Sequence, residues 1–212
     1  NGTLNVNAGY RNGIKSTDDC IIVSGTLNIT STEDGIIGKD LCGIVAGDIN
    51  INAGSDGIKS TYDTYTTKGN VIIEGGNITI KASNDGIQAE NILVINDGTI
   101  NIKTNNGAAD TTQTHIDNMD MGRGGFGFNN NKTTTTTDDT SESRKGIKAG
   151  NMLIINDGDI TIDSDDDSVH CNSVIYIYGG TINAATGDDG VHADDLLTVN
   201  GGTINITQCY EG

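Results

Sequence analysis

The sequence lacks proline and tryptophan, and aromatic residues make up only 4% of its 212 residues. Proline removes backbone donors from a ladder, so its absence suits many short, hydrogen-bonded parallel strands. Basic residues are scarce: 12 Lys and Arg stand against 29 Asp and Glu, a net charge of −17. A nucleic-acid partner is not expected, because phosphate binding needs a basic surface. No run of 18 apolar residues occurs, so no membrane span is predicted.

Glycine is abundant, with 30 residues, and part of it recurs at a fixed interval. Steps of 22 residues join Gly13, Gly35 and Gly57 early in the chain, and Gly146, Ser168, Gly190 and Gly212 late in it. Between them, Gly86 follows Gly57 by 29 residues and precedes Gly146 by 60, which indicates loop insertions near 61–68 and 107–145. A repeat of this length predicts a solenoid, and hence one elongated domain over residues 1–212.

Each repeat contains three short segments of alternating apolar residues, the pattern of half-buried strands. In the clearest segment the apolar positions are Leu27/Ile29, Ile49/Ile51, Ile78/Ile80, Ile100/Ile102, Ile160/Ile162 and Ile204/Ile206. Stacking these positions on successive turns gives a continuous aliphatic core. The predicted fold is all-β: a single-stranded parallel β-helix with about 22 residues and three strands per turn. Glycine is expected at the corners because it tolerates positive φ.

Acidic residues cluster at the corners of this predicted helix. Two sets lie one or two positions before the corner residue of the repeat: Asp34, Asp56 and Asp85, and Asp166, Asp167, Asp188 and Asp189. Further acids, just past the third strand, include Asp40, Asp63, Asp194 and Asp195. Neighbouring rungs lie about 4.8 Å apart, so stacked carboxylates repel one another. Clustered oxygen ligands of this kind predict Ca²⁺ as the cofactor. The alternative is turn chemistry, since Asp-Gly is also a common tight-turn dipeptide.

The outward positions of the third strand, with the two insertions, form the predicted ligand-binding face. Those positions read Lys15, Ile37, Lys59, Gln88, Lys148, His170 and His192, which is a mostly basic column. The candidate ligand-binding residues are Lys59, Tyr62, Tyr65, Gln88, Arg123, Phe126, Arg144 and Lys148. Cations between acidic columns, walled by aromatic loops, suit an anionic sugar chain. The alternative for each lysine is solubility and charge balance, and for the long insertion a plain surface loop.

The longer insertion is expected to replace an acidic corner, with Asn106-Gly107 standing where Asp-Gly would be. His170 and His192 lie one turn apart, and zinc would need a third ligand such as Asp166 or Asp188, but the spacing is not a zinc signature. Among the four cysteines, buried free thiols are expected. A Cys20–Cys42 disulfide stays open as an alternative, although stacked side chains seldom have the required geometry.

The repeated segments Gly201-Gly202-Thr203-Ile204-Asn205-Ile206 and Asp189-Gly190-Val191-His192-Ala193 resemble a family of secreted clostridial-type carbohydrate-binding domains. The resemblance covers nearly the whole chain. It implies a right-handed parallel β-helix that carries calcium and binds acidic polysaccharide such as polygalacturonate, with a fold similar to pectate-type polysaccharide lyases. It also implies a bacterial cell-surface or secreted location.

Three function classes remain open from the sequence. Non-catalytic binding of acidic polysaccharide by a monomeric domain is favoured by the insertions, the basic column and the acidic corners. A polysaccharide lyase would use Lys59, Lys148 or Arg144 as the base for β-elimination, helped by Ca²⁺. A structural or ice-binding solenoid is suggested by the Thr and Asn ladder, which Asp48 and Asp159 interrupt. Because the chain begins and ends inside a repeat, we also expect a longer precursor.

Overall fold

The structure is a computed structural model that describes residues 2–108 and 143–210. These residues form 22 strands in three parallel sheets, and consecutive strands visit the three sheets in rotation. Each strand therefore pairs with the equivalent strand of the next turn. The predicted parallel β-helix with three strands per turn is confirmed.

The strands of one sheet stack along the helix axis, and their bounds are as follows. Sheet 1 contains β1 (Thr3–Ala8), β4 (Thr26–Ser31), β7 (Asp48–Ala53), β10 (Asn77–Ala82), β13 (Thr99–Thr104), β16 (Asp159–Ser164), β19 (Thr181–Thr186) and β22 (Thr203–Gln208). Sheet 2 contains β2 (Ile14–Ser16), β5 (Ile36–Gly38), β8 (Ile58–Ser60), β11 (Ile87–Ala89), β14 (Ile147–Ala149), β17 (Val169–Cys171) and β20 (Val191–Ala193). Sheet 3 contains β3 (Asp19–Ile22), β6 (Leu41–Ile44), β9 (Asn70–Ile73), β12 (Ile92–Ile95), β15 (Met152–Ile155), β18 (Val174–Ile177) and β21 (Leu196–Val199).

The core consists of the inward side chains of all three sheets. Ile100 from sheet 1, Ile147 from sheet 2 and Leu93 from sheet 3 are each fully buried. The register of the sheets stacks identical or similar residues on successive turns, as in the pairing of Ile78 with Ile100. Burying one such side chain contributes about 1.5–3 kcal/mol, so the stacked columns supply most of the favourable folding energy. In the last described turn the inward column is less covered, and Leu197 is 44% exposed.

The glycines of the 22-residue repeat are required by close packing. A Cβ on Gly57 would lie 2.5 Å from the carbonyl oxygen of Gly86 and 2.4 Å from Ile80 Cγ2. These glycines do not have positive φ, and glycine is needed here because the next turn leaves no space for a Cβ. Positive φ occurs instead at the corner between sheets 3 and 1, for example 126° at Gly47.

Both insertions leave next to sheet 2. The shorter one follows β8, and backbone hydrogen bonds from Thr61 and Tyr62 to Lys39 O tie its start to the turn below. The expectation that Asn106-Gly107 replaces an acidic corner is wrong. The corner of that turn is Lys145-Gly146, because Gly86 N donates to Lys145 O.

Two further sequence expectations concern spans and cysteines. Over the described residues, we find no helix with the length and apolar character that a bilayer crossing requires. All four cysteines are free thiols, and Cys20, Cys42 and Cys171 are buried as expected, whereas Cys209 is exposed. The open Cys20–Cys42 disulfide is therefore not formed in this structure.

Candidate functional site

The aspartates before the corner glycines stitch consecutive turns together. Asp34 Oδ1 accepts the backbone N–H of Asp56 at 3.1 Å, and Asp56 Oδ1 accepts that of Asp85 at 3.0 Å. Asp85 Oδ1 accepts the N–H of Lys145 at 2.8 Å in the same way. These bonds replace water on backbone donors at each corner, which stabilises the stack because a buried N–H without a partner is costly. Hydrogen bonds to the backbone of the next turn, and not a bond within the local turn, therefore account for one oxygen of each of these carboxylates.

The second oxygen of a corner aspartate faces the basic column of sheet 2. Lys59 Nζ pairs with Asp56 Oδ2, and Lys148 Nζ lies 3.7 Å from Asp85 Oδ2. Burial alone would lower the pKa of Lys59, but the charge of Asp56 and its hydrogen bond hold that pKa above its ordinary value. Gln88 lies in register between the two lysines. The sequence-predicted column is thus assembled, and its lysines Lys59 and Lys148 are already partnered by protein acids.

The long insertion returns through two basic residues that contact acids of the next turn. Arg144 Nη1 donates to the fully buried Asp165 Oδ2 at 2.8 Å, so this candidate ligand-binding residue is held in an internal ion pair. Lys145 Nζ lies 2.8 Å from both Asp166 Oδ1 and Asp167 Oδ2. Burial opposes its charged form, but these two carboxylates hold the pKa of Lys145 above its ordinary value.

The predicted calcium ligands fall into several separate groups. One ligand atom from each of Asp166, Asp167 and Asp188 lies within 4.8 Å of the others, so these three carboxylates form an all-acidic group. Asp189 N donates to Asp167 Oδ1 at 3.0 Å, so it continues the corner stitching of Asp34, Asp56 and Asp85. Carboxylates this close favour a cation beside them, and the Lys145 ammonium already contacts Asp166 and Asp167. Calcium at these corners stays a prediction.

The acids past the third strand have individual partners. Asp40 pairs with Lys68 of the short insertion, and Asp63 accepts the Thr64 hydroxyl at 3.1 Å. Asp194 Oδ1 lies 3.0 Å from His192 Nε2, and Asp195 Oδ2 accepts the Ser173 hydroxyl at 2.7 Å.

A cleft of about 230 Å³ lies between the short insertion and the far edge of sheet 2. Its lining residues are Tyr62, Asp63, Tyr65, Thr66, Glu90, Asn91, Gly150, Asn151 and Asn172. The rings of Tyr62 and Tyr65 stack with centroids 5.6 Å apart, and Tyr65 is 60% exposed. Both tyrosines are candidate ligand-binding residues, and the Tyr62 ring supports the Tyr65 ring. We call this site the tyrosine cleft.

The wall of the tyrosine cleft is anchored to the body of the helix. Asn91 Nδ2 donates to Thr66 O at 2.6 Å and to Asn70 Oδ1 at 2.9 Å, and Asn151 Nδ2 donates to Asn91 Oδ1 at 2.8 Å. This amide ladder runs along the floor and holds the insertion in place. The cleft therefore combines an exposed aromatic ring with fixed hydrogen-bonding groups, the usual composition of a small-ligand site.

Comparison with known proteins decides what kind of ligand to consider. A family model described as carbohydrate-binding domain-containing protein matches residues 1–190. The chain belongs to this carbohydrate-binding family. No curated protein and no solved structure gives a significant match.

Sequence reasoning missed two lysines of this carbohydrate-binding domain. Lys39 Nζ lies 5.0 Å from the centroid of the Tyr62 ring, and Lys68 Nζ lies 4.8 Å from it. Such cation–π contacts orient the ring. Lys39 is exposed, and in the described part of the chain its ammonium has no carboxylate partner. The sequence did contain a signal for Lys39. Gly38 and Ser60 occupy equivalent positions on successive turns, and the insertion begins after Ser60, so Lys39 lies beside the start of the insertion.

Two predicted ligand-binding residues of the carbohydrate-binding domain, Arg123 and Phe126, lie outside the described residues. Of the remaining six, the structure places Tyr62 and Tyr65 in the tyrosine cleft. Lys59, Gln88 and Lys148 lie on the outward face of sheet 2.

Proposed function

We propose that this domain binds acidic, uronate-rich polysaccharide without catalysis, assisted by calcium, at the tyrosine cleft and the adjoining face of sheet 2. The observation that carries the proposal is the exposed Tyr65 ring, stacked on Tyr62 over a cleft in a protein of a carbohydrate-binding family. An exposed aromatic ring offers an apolar face to the C–H groups of a sugar. The exposed amide of Asn151 is placed to meet sugar hydroxyls, and the buried Asn91 holds it in position.

Charge supports a uronate rather than a neutral sugar in this cleft. Lys39 lies on the Tyr62 ring and has no protein carboxylate to neutralise it in the described residues. A sugar carboxylate would supply that partner through a charge-assisted hydrogen bond. Lys59 and Lys148 differ, because they are already paired with Asp56 and Asp85 and contribute mainly to the potential of the face.

Calcium enters the proposal because the domain carries a net charge of −17 and would repel a polyanion. Asp63 and Glu90 line the cleft, and a cation between them and a uronate would turn repulsion into a bridge. The trio Asp166, Asp167 and Asp188 is the second place where calcium is proposed. Both sites use hard oxygen donors, which Ca²⁺ prefers.

The pairing of the basic residues favours binding over elimination. A lyase needs an unprotonated base next to the uronate α-proton. The raised pKa of Lys59, caused by Asp56 against the effect of burial, keeps its ammonium protonated at neutral pH. Arg144 donates to the buried Asp165 instead of facing a substrate. We further propose that the domain acts as a monomer, since one chain builds the whole cleft, and that it works on the bacterial surface or in secreted form.

Affinity electrophoresis tests this proposal. The protein is run through native gels that contain polygalacturonate or a neutral glucan, each with calcium or with a chelator. We expect retardation by polygalacturonate with calcium, loss of most of it with the chelator, and little retardation by the neutral polymer. Equal retardation by both polymers would contradict uronate selectivity. Steady formation of unsaturated product in a parallel ultraviolet assay would contradict a non-catalytic role.

A further inference from the structure

Two histidines lie face to face near the C-terminal end of sheet 2. His170 on β17 and His192 on β20 are paired in register, with ring centroids 5.0 Å apart and an interplanar angle of 20°. Elsewhere in this column the cations are lysines. Two successive imidazoles place two potential metal-binding nitrogen atoms on adjacent turns.

Each ring is held by a carboxylate at Nδ1. His170 Nδ1 lies 2.8 Å from Asp167 Oδ2, and His192 Nδ1 lies 2.7 Å from Asp189 Oδ2. An acceptor at Nδ1 keeps a proton there, so Nε2 is the nitrogen that a metal ion would bind, in place of the Nε2 proton. Histidines that bind metal ions are oriented in this way, by donating the other ring N–H to a carboxylate.

Oxygen atoms also lie next to both Nε2 atoms. His192 Nε2 lies 3.0 Å from Asp194 Oδ1, and His170 Nε2 lies 2.8 Å from Asn172 Oδ1. Ligand atoms about 2.1 Å from a metal ion are roughly 3.0–3.4 Å from one another, so the His192–Asp194 spacing suits a shared cation. Charge balance alone, as in the Lys59–Asp56 pair, does not require these second oxygens.

The surroundings are negative and partly open to solvent. One ligand atom from each of Asp167, His170 and His192 lies within 4.8 Å of the others. The side chain of His192 is 40% exposed, so an ion can reach it. Lys145 contacts Asp167 and offsets part of the charge there, which leaves Asp189 and Asp194 as the carboxylates nearest His192.

We propose that His170, His192 and Asp194 form a binding site for a divalent transition cation such as Zn²⁺, with Asp167 and Asp189 as positioning residues. Imidazole nitrogen and carboxylate oxygen together suit zinc, nickel or copper better than calcium. One ion held by both rings requires their Nε2 atoms to lie about 3.3 Å apart, which a tilt of the half-buried His192 ring about its Nδ1–Asp189 hydrogen bond would provide. Water completes the coordination. This site is separate from the tyrosine cleft and does not depend on the proposed function.

Calorimetric titration of the chelator-treated protein with Zn²⁺ at pH 7.5 tests the site. We expect one zinc ion per chain. His170→Gln and His192→Gln are expected to weaken zinc binding at least 10-fold, and Asp189→Asn by about 10-fold through loss of ring orientation. Asp18→Asn removes one exposed corner charge at the other end of the helix and is expected to leave zinc affinity unchanged.

Two further readouts separate metal ligation from a structural effect. In the wild type, zinc is expected to shift the Cε1–H resonances of both histidines, and thermal unfolding of each variant without metal checks that it is folded. Calcium titration of His192→Gln is expected to match the wild type, because calcium does not need the imidazoles. The proposal is overturned if folded His170→Gln and His192→Gln bind zinc as the wild type does, or if the wild type binds none at millimolar zinc.

Discussion

Asp56 Oδ1 accepts the backbone N–H of Asp85 on the next turn at 3.0 Å. The two residues are 3% and 2% exposed, so the bond is shielded from water. The other carboxylate oxygen of Asp56, Oδ2, forms an ion pair with Lys59. One carboxylate therefore joins two turns of backbone and balances one cation of the outward face.

Replacing Asp56 tests whether this stitching stabilises the helix. Asp56→Ala leaves the buried N–H of Asp85 and the Lys59 ammonium without their partner, and we expect a loss of about 2–4 kcal/mol in the free energy of unfolding. Asp56→Asn keeps the acceptor at Oδ1 and removes only the charge, so a smaller loss is expected. Urea unfolding followed by circular dichroism measures both.

The matched control for Asp56 is Asp18→Asn, which removes an exposed corner charge and is expected to change stability by less than about 0.5 kcal/mol. If Asp56→Ala unfolds at the same urea concentration as Asp18→Asn, the carboxylate does not join the turns energetically.

Ser168 and Ala184 form a complementary pair that allows a double-mutant test. Ser168 is the one described position of the 22-residue glycine series that has a side chain. The earlier glycines each face an isoleucine of sheet 1, as Gly146 faces Ile162, whereas Ala184 replaces the isoleucine in the next turn. The small residue makes room for the serine. Ala184→Ile is expected to destabilise by about 1–3 kcal/mol through overpacking.

Adding Ser168→Gly to Ala184→Ile is expected to recover most of that loss, with a coupling energy of about 1–2 kcal/mol. Ser168→Gly alone loses a contact with Ser164 and is expected to cost little. Additive effects of the two substitutions, measured by urea unfolding, would show that Ser168 and Ala184 do not compete for the same space.

His192 gives a pH-dependent prediction for the metal-free protein. The hydrogen bond to Asp189 raises the pKa of His192 above its ordinary value, with burial opposing and Asp167 and Asp194 adding to the effect. A raised pKa in the folded state means that this stabilisation is complete below about pH 6.5 and is lost as pH rises through the folded-state pKa.

A proton NMR titration of His192 Cε1–H measures this directly. The midpoint is expected above 6.5, the ordinary histidine value, and Asp189→Asn is expected to lower it. The His192→Gln variant lacks the His192 Cε1–H resonance and keeps that of His170, so it assigns the His192 resonance. A wild-type midpoint at or below 6.5 would contradict the pairing with Asp189.

The repeat made the fold and the stacking partners predictable from the sequence. The 22-residue glycine interval and the alternation at residues such as Ile78 and Ile100 determine which side chains share a column, and the register confirms this. The hydrogen bonds made by the corner aspartates were harder to predict from the sequence. Asp-Gly suggests a turn within one strand connection, whereas the bond from Asp85 N to Asp56 Oδ1 runs between turns that are 29 residues apart.

The candidate site was predicted only in part, because loops do not follow the repeat. Tyr62 and Tyr65 were recognised as aromatic residues of an insertion, but their stacking depends on the path of that insertion. Lys39 was overlooked because it is an ordinary repeat residue, and only the path of the insertion brings the Tyr62 ring next to its ammonium. Arg144 was assigned to ligand binding, but a buried aspartate on the next turn takes its guanidinium.

The measurement that tests the central claim most directly is the affinity of Tyr65→Ala and Lys39→Ala for polygalacturonate fragments in calcium, by calorimetry. We expect each variant to bind at least 5-fold more weakly than the wild type, because the first loses the exposed ring and the second loses the ammonium beside Tyr62. Tyr178→Ala, which truncates an exposed stacked tyrosine at the end of β18, serves as the control and is expected to bind as the wild type does. Unchanged affinity of both cleft variants, with wild-type thermal stability, would contradict carbohydrate binding at the tyrosine cleft.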